Sequence, residues 1–138
     1  MEIRPLREEE LPAIARVYLR AYPEPWSEEG AVAYLGKFRG FEPDSCLVGI
    51  DGGAIAGAVF AFSYQKQQNL VVYIQELFVD PDRQHRGVGK KLVSALRSSF
   101  TQNPRIKVKP MVKADTKVLN FYNSLGFDSE KLFTFFDE

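Results

Sequence analysis

The apolar positions along the chain change period several times, and each change marks a different element. Ile3 to Leu6 reads as a short first strand. From Glu9 to Tyr22, Leu11, Ile14, Ala15, Tyr18 and Ala21 fall on one helical face. Pro23 and Pro25 interrupt that pattern, and Ser27 is placed to cap a second helix that turns Ala31, Tyr34, Leu35 and Phe38 inward. Ser45 to Ile50 is strand-like, Asp51-Gly52-Gly53 is a turn signal, and Ala54 to Tyr64 reads as the returning strand. A polar turn is expected over Gln65 to Asn69, before a further strand from Leu70 to Val79. Three such segments in succession predict an antiparallel meander.

Beyond Asp80-Pro81 the period becomes helical, with Val88, Leu92, Ala95, Leu96 and Ser99 in step as far as about Phe100. Ile106 to Met111 is expected as a strand. Asp115 then caps a last helix carrying Val118, Leu119, Tyr122 and Leu125 inward, and Gly126 stops it. Leu132 to Phe136 supplies a terminal strand. The order predicts an α/β fold, a mixed central sheet flanked by helices. At 138 residues, with no internal repeat and no flexible linker, residues 1–138 are expected to form a single domain.

The charge balance adds a direction to this picture. The net charge is zero, yet Met1 to Asp51 holds ten acids against six bases, while Arg83 to Lys117 holds ten Lys and Arg against one acid, Asp115. An anionic ligand on the second half would suit that split. Cys46 is the only cysteine, set between apolar neighbours, and reads as a buried thiol. No apolar run approaches the roughly 18 residues of a membrane span, and no secretory pattern opens the chain, so a cytoplasmic protein is expected. His85 is the sole histidine, which leaves a metal centre or a Ser-His-Asp hydrolase poorly supported. Basic and aromatic residues do not interleave as a nucleic-acid platform.

Chemistry concentrates at Gln84-His85-Arg86-Gly87-Val88-Gly89, after a predicted strand and before a helix. Gly87 and Gly89 permit a tight turn, and the first N–H groups of the helix have no intrahelical partner and can converge on phosphate oxygens. The Walker-type lysine and hydroxyl are absent, as is a three-glycine dinucleotide fingerprint. The segment instead resembles the Q/R-x-x-G-x-G/A motif of the GNAT N-acetyltransferase family, on Gln84, Gly87 and Gly89. Glu76-Leu77-Phe78-Val79-Asp80-Pro81 resembles the family's fourth strand and its exit. Asn120-Phe121-Tyr122-Asn123-Ser124-Leu125-Gly126-Phe127 resembles its late motif.

The resemblance implies an acyl-CoA N-acyltransferase-like fold and acetyl-CoA as cosubstrate, with no metal. It implies that Leu77, Phe78 and Val79 offer main-chain groups to the pantetheine arm and that the segment Arg86, Gly87, Val88, Gly89 and Lys90 meets the pyrophosphate, with Gln84 and Asn120 as further cofactor contacts. Tyr122 is implied as the acid at the CoA sulfur, a role that suits a phenol protonated near neutral pH. Glu76 is implied as the base or as a group positioning the amine. Asp115 stands where the family often has asparagine, and lacks its amide donors. Lys113 and Lys117 are further phosphate candidates.

The resemblance also implies an acceptor site at the first helices and their connecting loop, at Tyr22, Trp26, Glu28, Glu29 and Tyr34, where acids would attract a cationic amine and aromatics would shape its site. A small-molecule amine is the preferred acceptor. A peptide N-terminus, a protein lysine, or a non-catalytic acetyl-CoA sensor are the alternatives. The aromatic terminal segment with Phe133, Phe135 and Phe136 leads to the expectation of a homodimer.

Overall fold

Two prolines and a serine decide where the first helices divide. The computed structural model, which describes residues 1–23, 25–109 and 116–127, has α1 at Leu11–Ala21 and α2 at Glu28–Phe41. Ser27 caps α2 as its sequence suggests, its Oγ accepting from the Gly30 N–H at 3.0 Å. The strands are β1 (Glu2–Pro5), β2 (Cys46–Asp51), β3 (Ala54–Lys66) and β4 (Asn69–Val79). They are followed by α3 (Val88–Ser98), β5 (Arg105–Val108) and α4 (Thr116–Ser124).

Five strands form one sheet in the order β1-β2-β3-β4-β5. The first four pair antiparallel, and β5 joins β4 in parallel after the α3 crossover. This is the mixed sheet expected from the sequence. One face packs on α1 and α2 through Ile14, Leu35, Val48, Phe60 and Phe78. The other packs on α3 and α4 through Val59, Val72, Leu77, Leu92 and Leu96.

The β3–β4 hairpin is longer than its sequence predicts. Its turn is only Gln67-Gln68, with Gln67 in a left-handed conformation, and Lys66 pairs with Asn69. Ala56, Ala58 and Ala61 lie fully buried within β3, because small residues there let both helical layers close on the sheet. Ser99 is not a core position but the exposed C-cap of α3. The β5 strand is described to Val108, and the last part of the strand expected to reach Met111 lies outside the described residues. The expected Asp115 cap and the Leu132 to Phe136 strand lie outside the described residues, as do Lys113 and residues Phe133, Phe135 and Phe136.

Two features prepare the site. The register of β3 and β4 shifts between Phe60–Glu76 and Ala61–Ile74, which leaves Gln75 as an extra residue in β4. The β4–β5 ladder ends at the same place, with Ile74 opposite Val108 and Lys109 N–H donating to the Ile74 carbonyl at 3.0 Å. From Gln75 to Val79, β4 has no β5 partner among the described residues.

Gly57 holds this region together, pairing with Val79. A Cβ at position 57 would stand 2.6 Å from the Phe78 carbonyl oxygen and 3.2 Å from Val79 Cα. Both obstacles are main chain, so relief requires the strands to part. Gly57→Ala is expected to destabilise the fold by about 1–3 kcal/mol, read as a lower urea midpoint at unchanged m-value.

Candidate functional site

Main-chain groups alternate sides along a strand, and at the end of β4 that alternation turns those of Leu77 and Val79 away from β3. Asp80 N–H bonds back to the Ala56 carbonyl of β3 at 2.8 Å. Residues 77 and 79 therefore present their N–H and C=O groups to the other side. Two side chains already use those carbonyls. Tyr22 Oη donates to the Leu77 carbonyl at 2.9 Å, and Gln84 Nε2 donates to the Val79 carbonyl at 3.4 Å. Each carbonyl keeps a second lone pair. The Phe78 ring is buried in the α1–α2 core.

The strand exit is anchored by Asp80, a residue that the sequence presents only as part of a turn. Its carboxylate is buried and meets Arg20 Nη2 of α1 at 3.1 Å and Arg83 Nη1 at 3.2 Å, while accepting from the Asp82 N–H at 2.9 Å. These contacts tie α1 to the start of the glycine loop.

That loop has an unusual backbone. Gln84 has φ −69°, His85 +66°, Gly87 +79°, and Arg86 between them lies outside the positive-φ region. The loop therefore enters α3 through two left-handed residues, His85 and Gly87, just ahead of the first helical N–H groups, which have no intrahelical partner and can receive an anion. Gly87 and Gly89 serve different needs there. A Cβ at Gly87 would meet nothing within 4 Å, so Gly87 is required by its φ. Gly89 is buried, and its Cβ would touch Phe121 Cζ at 3.4 Å and Leu125 Cδ2 at 3.5 Å. Its small size lets α4 lie against the N-terminus of α3. Val88 is buried, while His85, Arg86, Lys90 and Asn120 are exposed.

The packing against Gly89 also sets the position of Tyr122. Gly126, at φ +90°, turns the chain so that Phe127 N–H reaches the Tyr122 carbonyl at 3.2 Å, and the two rings meet at 6.0 Å. The Tyr122 hydroxyl lies close enough to that of Tyr22 for each to influence the other, and Tyr22 spends its own proton on the Leu77 carbonyl. Burial, and then the nearby Tyr22 and Glu76, push the Tyr122 hydroxyl well above the usual phenol range. Tyr22 is pushed up to about 12, chiefly by burial and then by the Glu76 charge. Both phenols thus keep their protons throughout the neutral range.

Glu76, beside the Gln75 bulge, points to the α1–α2 face. Its Oε2 accepts from Tyr34 Oη at 2.6 Å and Lys109 Nζ at 3.3 Å, with Tyr18 Oη at 3.5 Å. Gln75 Nε2 in turn donates to Tyr34 Oη at 3.0 Å. Among the described residues, Oε1 receives no side-chain hydrogen bond and is the oxygen left for another ligand. Burial and the Glu76 carboxylate raise the hydroxyls of Tyr18 and Tyr34 as well.

Of the residues expected at the acceptor, Tyr34 is brought to Glu76, and Trp26 packs on Tyr18 at 6.2 Å and on Tyr34 at 5.1 Å. Tyr22 lies instead at the β4 edge with Leu77 and Tyr122. Glu28 is spent on an exposed ion pair with Arg16 at 2.7 Å, and Glu29 is exposed in the first turn of α2. Sequence reasoning missed Tyr18, Gln75 and Lys109, whose approach to Glu76 depends on strand register and leaves no local signature. Cys46 is a buried thiol pushed up to about 11 by burial. Among the described residues no group of three His, Cys, Asp or Glu side chains is arranged to hold a metal, and no helix is long and apolar enough to cross a membrane.

A β4 end without a β5 partner among the described residues, a glycine loop at a helix N-terminus, and a phenol and carboxylate nearby agree with a comparison of the chain with known families. Residues 11–127 match the profile of the acetyltransferase (GNAT) family. The chain belongs to that family. As a member it is an acetyl-CoA-dependent N-acetyltransferase. Its fold is shared with the aminoglycoside N-acetyltransferase AAC(6')-Iy solved with CoA, at 18% identity and TM-score 0.75, covering 99% of this chain and 93% of that one. It is shared too with an aminoglycoside acetyltransferase from an uncultured soil metagenomic sample solved with sisomicin, at 22% identity and TM-score 0.72, covering 99% and 94%. Glucosamine-6-phosphate N-acetyltransferase from Arabidopsis thaliana aligns at 17% identity and TM-score 0.68, covering 99% and 98%. No curated protein sequence matches the chain.

Proposed function

We propose that this acetyltransferase acts on a small cationic amine, with Glu76 receiving the amine's proton and Tyr122 protonating the departing thiolate. The observation that carries this reading is the Leu77–Val79 edge, unpaired by β5 among the described residues, with the Glu76 carboxylate and the neighbouring Tyr122 and Tyr22 phenols beside it. Bound acetyl-CoA would supply an activated acetyl thioester. The remaining lone pairs and N–H groups of Leu77 and Val79, flanking Phe78, suit its amide-bearing arm. The main-chain N–H groups from Arg86 through Gly87, Val88 and Gly89 to Lys90 suit its pyrophosphate, with Arg86 and Lys90 adding positive field and Gln84 bracing the strand exit. Asn120 adds a polar contact from α4. The acetylated small amines in the names of structural neighbours support a small-molecule acceptor.

Within the site, Glu76 can act through Oε1 because Oε2 is occupied by Tyr34 and Lys109. That arrangement fixes the carboxylate and offers one oxygen to one ammonium. Trp26, Tyr34 and Tyr18 wall the approach, and Glu29 adds negative field at its rim. We further propose that the enzyme works in the cytoplasm, where acetyl-CoA is supplied, and as a homodimer.

Glu76→Gln tests the assignment at nearly constant shape. Loss of a charge-assisted contact worth about 2 kcal/mol should lower kcat/KM for the amine about 30-fold near neutral pH. CoA affinity by calorimetry should stay unchanged. Wild-type kcat/KM across a pH series would remove Glu76 from the reaction.

A further inference from the structure

We infer that the acceptor is a monoamine carried on an extended apolar or aromatic body, and that this body lies along the seam between α2 and the outer half of the β3–β4 hairpin. The inference rests on the acetyltransferase reading of the Glu76 site and specifies what that site accepts.

The seam begins at Glu76. Tyr34, bonded to its carboxylate at 2.6 Å, meets Trp26 at 5.1 Å and Phe38 at 5.2 Å. Phe38 then forms a wall of an open groove of about 330 Å³ with Lys37, Phe41 and Phe62, and the surface it offers is almost wholly carbon. Phe62 continues the aromatic surface, meeting Phe41 at 5.4 Å and stacking on Tyr73 at 5.0 Å. Tyr34 and Phe41 are seven residues apart on one helix, which gives the seam a length of about 10 Å.

Solvent exposure singles out the same path. Among the described residues the exposed large apolar side chains are Met1, Trp26 at 42% and Phe41 at 71%. Two of these three stand at opposite ends of the seam. Leaving Phe41 in water has no packing rationale among the described residues, whereas an apolar ligand in the groove would cover it. Continuity with the Glu76 site selects the substrate body as that ligand.

Charge then disfavours a polycation. Among the described residues the carboxylate seated at the inner end, Glu76, already faces Lys109, Glu28 is paired with Arg16, and Glu29 is exposed at the rim. At the outer end the groove is lined by Lys37, a cation. A single ammonium therefore finds Glu76 Oε1, while a second ammonium about 10 Å away finds Lys37 and carbon. Like charge at the wrong end discriminates as effectively as attraction at the right one.

Trp26 is the only tryptophan and reports the inner end by fluorescence. Titrating the full chain, with CoA present, with 4-phenylbutylamine and separately with spermidine compares an apolar and a polycationic amine of similar length. The arylalkylamine is expected to bind at least about 10-fold more tightly, the advantage of burying one aromatic ring. Phe41→Ser should abolish that preference, and its high exposure makes loss of folding an unlikely escape, which the urea midpoint checks. Spermidine binding as tightly, or a preference surviving Phe41→Ser, overturns the inference. So does a dimer in light scattering in which neither amine perturbs Trp26, since a second copy would then occupy the groove. Thiol release with the same two amines separates the claims. Acetylation of spermidine in preference to the arylalkylamine overturns the groove and keeps the enzyme. The expected binding preference without acetylation of either amine supports the groove and removes the proposed small-amine activity.

Discussion

Tyr122→Phe is expected to lower kcat by about 10²–10³-fold while changing CoA affinity by less than about 3-fold. The ring, its contact with Phe127 and the helix cap through the Tyr122 carbonyl all survive the substitution, so only the hydroxyl is lost. The pH dependence distinguishes acid catalysis from positioning. Burial holds the Tyr122 hydroxyl above its ordinary value, so its neutral form persists as pH rises past 10, and wild-type kcat should show no alkaline loss from Tyr122 below that point. Tyr22→Phe is the informative companion. It removes the hydroxyl beside that of Tyr122 and frees the Leu77 carbonyl, but leaves the Tyr122 proton in place. A kcat for Tyr122→Phe within a few-fold of wild type, measured with a saturating acceptor, would rule out proton transfer by this residue. A large loss in Tyr22→Phe with little loss in Tyr122→Phe would move the role to Tyr22.

What the sequence made legible follows from the range of the interactions involved. Ser27 and its helix, the Asp51-Gly52-Gly53 turn and the left-handed Gly126 stop are satisfied within a few residues, so they leave local patterns. The glycine loop belongs to the same class, because main-chain N–H groups at a helix entrance need only Gly87 and its neighbours. Tyr122 is marked by its spacing to Gly126 and Phe127. The surroundings of Glu76 are different. Lys109 arrives from β5 in parallel register, Tyr34 and Tyr18 from two helices, and Gln75 through a bulge whose presence depends on how β4 pairs with β3. None of those meetings has a sequence spacing to read. Glu28 shows the converse error of scale. A count of acids near an aromatic segment suggests a cation site, but Arg16, twelve residues earlier, already neutralises that carboxylate across the α1–α2 contact. Asp80 likewise reads as punctuation before Pro81 and turns out to be the buried link between α1, Arg83 and the loop.

The second large effect is expected at the loop, where Gly87→Asp should weaken CoA binding by about 10²-fold. Sterics do not cause this loss, since a Cβ at position 87 points into open space. Two other effects remain. A side chain at φ +79° favours leaving the left-handed conformation, and any loop population outside it must be restored when ligand binds. A negative charge beside converging N–H groups also opposes a pyrophosphate, and at about 4–5 Å with an effective dielectric near 20 the repulsion reaches a few kcal/mol. Gly87→Asn separates the two, because Asn and Asp tolerate the left-handed region similarly and differ in charge. The Asn variant is expected to stay within about 5-fold of wild type, with the Asp variant carrying the remainder. Raising ionic strength should narrow the difference between them, because the groups are solvent-exposed and screened. Calorimetry of CoA against both folded variants decides the matter. Equal affinities for Asn and Asp would mean that no anion sits on this loop, and the pyrophosphate assignment to the segment from Arg86 to Lys90 would have to be abandoned.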